Sequence, residues 1–131
     1  MIVTIHDMVN RRTVDRHNAA HVVVTFGAFS RRWIPGAGVG HVFVSHNGGG
    51  TWKNISGNLP DAPVNASVVW GHRLVVGTDV GVFATSAAAP GHWVRLGRSL
   101  PAAPAVDLDV SPDQGYLLVP THGRGLWRLS P

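Results

Sequence analysis

The sequence predicts an all-β protein made of about three repeated four-stranded antiparallel units, on three observations. The first is composition. Glutamate is absent and lysine occurs once, at Lys53, while 16 glycines and 9 prolines are spread over the 131 residues. Exposed helix faces are ordinarily filled with glutamate and lysine, and glycine and proline break helices. The second is local pattern. Residues 21–26 (HVVVTF), 41–45 (HVFVS), 66–70 (ASVVW), 73–77 (RLVVG) and 116–119 (YLLV) are rich in β-branched and aromatic side chains, the composition of strands. The third is repetition. Leu59-Pro60-Asp61-Ala62-Pro63 returns as Leu100-Pro101-Ala102-Ala103-Pro104, and Trp52 returns as Trp93, each 41 residues later.

Taken in order, the strands fall into units at residues 9–56, 64–96 and 105–130 of a single domain spanning 1–131. The first unit holds strands at 9–15, 21–27, 40–45 and 51–56, with residues 27–40 inserted between its second and third strands. The second holds 64–70, 73–78, 81–86 and 92–96, divided by Gly71-His72, Asp79-Val80 and the Pro90-Gly91 turn. The third holds 105–110, 116–120 and 125–129. Val42-Phe43 is echoed by Val82-Phe83 and again by Leu126-Trp127, and Gly77-Thr78-Asp79-Val80-Gly81 by residues 120–125. Residues 2–6 (IVTIH) read as a spare strand, available to close the third unit. A repeat of about 40 residues with four short strands is the signature of a β-propeller blade. Three blades do not close a ring, and their open edges invite pairing. The expected architecture is therefore a partial propeller, as a fragment or an open wedge, or half of a six-bladed ring formed by a dimer.

One turn carries a specific motif, Ser45-His46-Asn47-Gly48-Gly49-Gly50-Thr51-Trp52. A short acceptor at Asn47 can take hydrogen bonds from the turn's own amides. Glycines such as Gly49 supply positive φ. The Ser45 hydroxyl can tie the base, and Trp52 can fold over the unit. The motif resembles the Asp-box, or BNR repeat, Ser-x-Asp-x-Gly-x-x-Trp, with Asn47 where that pattern has aspartate. Residues 85–93 (TSAAAPGHW) form a worn copy that keeps the threonine and the tryptophan. Together with residues 52–60 (WKNISGNLP) and 77–83 (GTDVGVF), these stretches resemble the C-terminal blades of Asp-box propellers. That group includes sialidase-like and xyloglucanase-like glycoside hydrolases and sortilin-type receptor domains. The resemblance covers about residues 9–130 and implies a fold more than an activity, because the box is structural.

In an up-down blade the turns after strands one and three share one end, and the loops after strands two and four share the other. The resemblance implies that a ligand meets the end away from the Asp-box. That end would carry Arg31, Arg32 and Trp33 from the insertion, Asp79 from the second unit, and His122 and Arg124 from the third. Arginine can fork to a carboxylate or phosphate, and tryptophan can stack on a sugar ring. The plainer reading is that they are solvated loop residues.

Catalysis by this chain alone is not expected. Glycoside hydrolysis uses two carboxylates about 5–10 Å apart. All seven acids are aspartates, and Asp79 is the one candidate placed on the open end, with Asp61 second; Asp107 and Asp109 read as strand residues. The sialidase site that the resemblance brings to mind needs a tyrosine, a glutamate and three arginines, whereas Tyr116 reads as a core strand residue and glutamate is missing.

Other chemistries have weaker signals. No cysteine is present, which excludes disulfides and thiolate sites. His17 and His21 have the spacing of a zinc helix, but the segment runs into a strand. Residues 36–40 (GAGVG) also lead into a strand, which argues against a phosphate loop. Neither a metal nor a cofactor is expected. The net charge is +4, yet the basic residues are scattered rather than striped, so no nucleic-acid partner is expected. No apolar run reaches the roughly 20 residues of a membrane helix, and residues 1–12 lack the apolar core of a signal peptide, although the resembled families are often secreted. Asn54-Ile55-Ser56 and Asn65-Ala66-Ser67 match glycosylation triplets.

The expected function is a non-catalytic scaffold or carbohydrate-binding module of Asp-box type. Its partners would be a glycan, a second copy of the chain, or the remaining blades of a longer protein. Two rivals stand beside it: part of a glycoside hydrolase active only in a longer or oligomeric ring, and a protein-interaction wedge of sortilin or assembly-factor type.

Overall fold

The computed structural model describes residues 9–14, 20–26, 41–101 and 103–131, with the backbone alone for residues 9–14. Among the described residues there are eleven strands in three antiparallel sheets and no helix. The first sheet runs β1 (Val9–Val14), β2 (Val22–Phe26), β3 (Val42–Ser45) and β4 (Lys53–Asn54), each beside the next. The second runs β5 (Val64–Trp70), β6 (Arg73–Thr78), β7 (Gly81–Ser86) and β8 (Val94–Leu96) in the same way. The third has β9 (Asp109–Val110), β10 (Leu117–Pro120) and β11 (Leu126–Leu129). The all-β class is thus observed, with the strands grouped as the repeat predicts.

Two strands are reduced to two residues each, for a local reason. β4 covers two residues, because the Thr51 amide is taken by Asn47 Oδ1 at 2.8 Å and the Ser56 amide by Asn54 Oδ1 at 2.9 Å. β9 likewise covers two residues. The Leu108 amide turns to the Asp107 carboxylate at 2.9 Å, so Ala105 joins Thr121 only as an isolated bridge. Such side-chain acceptors compete with the ladder for backbone donors. The expected strand at residues 2–6, the insertion at 27–40 and His17 lie outside the described residues.

The core lies in two layers on either side of the second sheet. Val23, Val42, Val44 and Ile55 of the first unit pack with Val64, Leu74, Val76, Phe83 and Trp93 of the second. On the other face Ala66, Trp70, Val75, Val82 and Ala84 pack with Ala105, Leu108, Leu117 and Val119. Alternation along each strand produces this division, since neighbours point to opposite faces. Where the strand is covered on both sides, as in β6, Leu74, Val75 and Val76 are all buried. Each such side chain contributes roughly 1.5–3 kcal/mol on burial. Tyr116, expected in a core strand, instead precedes β10 half-buried, with the Arg128 guanidinium 4.3 Å from its ring centre.

Trp93 fastens the first two sheets together. Its indole is buried and donates to the Ile55 carbonyl at 2.8 Å, while Asn58 bonds its backbone amide at 2.6 Å and its carbonyl at 3.0 Å. Gly57, beside Asn58, has φ +49°, and a Cβ there would collide with the carbonyl oxygen of Gly91. Gly57→Ala is therefore expected to destabilise the protein by about 2 kcal/mol or more, read as a lower midpoint in urea unfolding.

Candidate functional site

The strand order gives the sheets two polar ends. At one end lie the β3–β4, β5–β6 and β9–β10 turns. At the other lie the β6–β7 and β10–β11 turns with the connections 57–63 and 97–104.

The first end is held by serine–Asx networks. Ser45 Oγ accepts the amides of Asn47 at 3.3 Å and Gly49 at 2.8 Å, and donates to Asn47 Oδ1 at 2.9 Å. Asn47 Oδ1 also accepts the Thr51 amide, and its Nδ2 donates to Thr51 Oγ1 at 2.9 Å. Gly48 and Gly49 have φ of 69° and 100°, which glycine adopts freely. The Gly48 amide reaches the Ala20 carbonyl at 2.8 Å, tying the turn to the strand beside it. Trp52 is half-buried, with its indole nitrogen buried and unpartnered among the described residues. In the second sheet Thr85 Oγ1 accepts the Gly91 amide at 3.2 Å and Ser86 Oγ the Ala89 amide at 3.3 Å.

A second serine–Asx network occurs where none was anticipated. Between β9 and β10, Ser111 Oγ donates to Asp113 at 2.7 Å and accepts the Tyr116 amide at 3.0 Å, and Asp113 accepts the Gly115 amide at 2.9 Å. The bond from Ser111 and the Gly115 amide hold the Asp113 carboxyl below the usual range. The signal in the sequence is Ser111-Pro112-Asp113-Gln114-Gly115, which shares the Ser-x-Asx-x-Gly spacing of residues 45–49. Gln114 takes a positive φ of 62°. That conformation points its carbonyl at Trp70 Nε1 and its side chain at the Gly71 amide, both at 2.8 Å. The turn thereby latches the third sheet to the second.

The other end holds the candidate ligand residues. Asp79 is half-buried, and its carboxylate accepts Asn65 Nδ2 at 2.9 Å. Asn65 also donates to the Ala105 carbonyl at 3.1 Å. Asp79 therefore helps join the β6–β7 turn to β5 and to the third unit. Asp61 is paired with His41 Nε2 at 2.7 Å. His41 is wholly buried, its Nδ1 has no partner among the described residues, and its amide reaches Ser56 Oγ at 2.9 Å. Sequence reasoning passed over His41, since a histidine opening an apolar strand carries no motif. His122 and Arg124 are exposed on the β10–β11 turn. The Arg124 carbonyl accepts Trp127 Nε1 at 2.8 Å, which leaves the guanidinium outside that bond. Arg31, Arg32 and Trp33 lie outside the described residues.

The two glycosylation triplets are integrated into the fold. Ser56 and Ser67 are buried, and the Asn65 amide is spent on Asp79 and Ala105. Among the described residues no three histidines or acids come together as a metal site. No protein-family model matches the chain, and no curated protein does.

Removing the Asn47 acceptor leaves the Ser45 hydroxyl and the Thr51 amide without it. Asn47→Ala should lose about 1–3 kcal/mol in thermal or urea unfolding, whereas Asn47→Asp, which keeps the oxygen, should match the parent within about 1 kcal/mol. Asp113 gives a pH test. Its folded carboxyl titrates lower than an unfolded one, so its contribution is present above about pH 4 and is lost as pH falls through the lowered value. The melting-temperature gap between the parent and Asp113→Ala should accordingly shrink below about pH 4.

Proposed function

We propose that the three sheets are consecutive blades of an Asp-box β-propeller module, and that the chain is a non-catalytic scaffold that binds carbohydrate at the end away from the Asp-box turn. Three features support the propeller reading. Each sheet is a simple meander, each packs face to face on the next, and the repeat matches the sheet spacing.

One observation carries the non-catalytic reading. Among the described residues the two acids expected at the open end are engaged inside the scaffold, Asp79 by Asn65 at 2.9 Å and Asp61 by His41 at 2.7 Å. A general acid and its partner must face the scissile bond, whereas these two hold loops together. Among the described residues the exposed Arg124 and His122 remain as the ligand-facing groups, and a guanidinium fork suits an acidic or hydroxyl-rich sugar. The hydrolase rival keeps Asp79 as its one candidate acid.

A glycan array probed with the full chain tests this. Binding to a defined glycan class is expected, with Arg124→Ala weakening it about tenfold and Asp79→Asn leaving it largely intact. Absence of binding across the array would overturn the carbohydrate reading. Turnover of an aryl glycoside that is lost in Asp79→Asn would instead establish the hydrolase rival.

A further inference from the structure

The three sheets can be aligned strand by strand through their pairing registers. Val24 faces Phe43 in the first sheet, Val76 faces Phe83 in the second, and Val119 faces Trp127 in the third. The flanking pairs on the opposite face are Thr25 with Val42, Gly77 with Val82, and Pro120 with Leu126. One face of each sheet therefore leads and the other trails. The trailing face of the first sheet meets the leading face of the second, with Val42 and Val44 against Val76 and Phe83. The trailing face of the second meets the leading face of the third, with Val75 and Val82 against Val119 and Trp127.

This rule leaves one trailing face bare among the described residues. Val42 and Val82 are both 0% exposed, but Leu126, at the same position of the third sheet, is 64% exposed. Val75 and Val23 are buried, whereas their counterpart Leu118 is only half-buried. At the other extreme, Val24 and Phe43 on the leading face of the first sheet are half-buried, where Val76 and Phe83 are buried. The chain thus carries one trailing face and one leading face that the same packing rule would bring together.

We infer that the trailing face formed by Leu118, Pro120, Leu126 and Arg128 takes the leading face of a second copy of this chain, formed by Val22, Val24 and Phe43. Two such contacts made reciprocally close a two-fold dimer of six sheets, because head-to-tail contacts end in a ring when the rotation closes. The inference rests on the propeller reading and continues the packing rule already used twice within the chain. Arg128 stands where the first and second sheets have the buried Val44 and Ala84, so the leading face would meet its side chain there. Its guanidinium lies over the Tyr116 ring, 4.3 Å from its centre, and acts on the Asp113 carboxylate.

The test uses light scattering on a sizing column, with cysteine cross-linking in a chain that has no native cysteine. The full chain should elute at twice 13.9 kDa. Leu126→Asp, at an exposed position, should remain folded by circular dichroism and raise the dimer dissociation constant about 30-fold or more. An oxidised mixture of Phe43→Cys and Leu126→Cys chains should give the mixed disulfide. A monomer at the highest soluble concentration overturns the inference, as does a dimer unaffected by Leu126→Asp or a Leu126→Cys chain that links only to itself. Mixed disulfides in assemblies growing past two copies would uphold the pairing and overturn the closed ring on which it was built.

Discussion

The second sheet has to be dry on both faces, and the rest of the structure follows from that requirement. Leu74, Val75 and Val76 are consecutive and buried, as are Val82, Phe83 and Ala84. A strand with one wet face alternates; a strand with an unbroken apolar run needs cover on both sides. The first and third sheets supply that cover. The two covers differ in grain. Toward the first sheet the second presents Leu74, Phe83 and Trp93. Toward the third it presents Ala66, Ala84 and Gly77, and a Cβ on Gly77 would lie 3.2 Å from the Cβ of Ala105. Small residues let the third unit approach closely, and Trp70 and Leu108 fill the margin.

A stack of short sheets exposes many strand ends, and each end carries backbone groups that must find partners. The chain answers this differently at its two ends. Beyond the β3–β4 and β9–β10 turns the partners are serine and Asx side chains. At the opposite end they are mostly backbone atoms of neighbouring units. The Asp79 amide reaches Pro63 at 3.2 Å, Ala105 reaches Thr78 at 2.9 Å, and His122 reaches Pro104 at 2.9 Å. Side-chain caps make a turn self-sufficient, whereas backbone bridges make adjacent units depend on one another.

Much of the fold is legible in the sequence because its strongest signals are physical ones. Periodicity and turn residues locate the strands, with β5, β6 and β7 bounded as the pattern predicts. The errors fall where a side chain competes with the ladder, as Asp107 does at β9 and Asn47 at β4. Such competition depends on a rotamer, which a pattern of residue types does not encode. The candidate site was less legible. Asp79 and Asp61 look alike in sequence to any loop acid, and their engagement by Asn65 and His41 spans 14 and 20 residues. Ser111-Pro112-Asp113 was readable from its spacing, but it sits after the first strand of its unit rather than the third.

The bridging of the loop end bears on what that end can do. His122 and Arg124 are exposed, but their turn is fixed at its base. Thr121 donates to the Gly125 carbonyl from its backbone amide at 3.0 Å and from its hydroxyl at 2.7 Å. The His122 amide is pinned to the preceding connection. Trp127 then clasps the Arg124 carbonyl. The backbone of this turn is thereby held, which leaves its side chains as the part free to adjust. Binding there would order few backbone torsions, and the entropy of ordering is a main opposing term in recognition by loops. A turn held this firmly suits presentation of a fixed charge to a ligand. It does not suit a lid that closes over a reaction, because a closing lid needs weakly bonded backbone. Among the described residues this end is thus built from bonded backbone at the β10–β11 turn and from acids paired across the chain, Asp61 with His41 and Asp79 with Asn65, so that turn and paired acids alike act as parts of the scaffold.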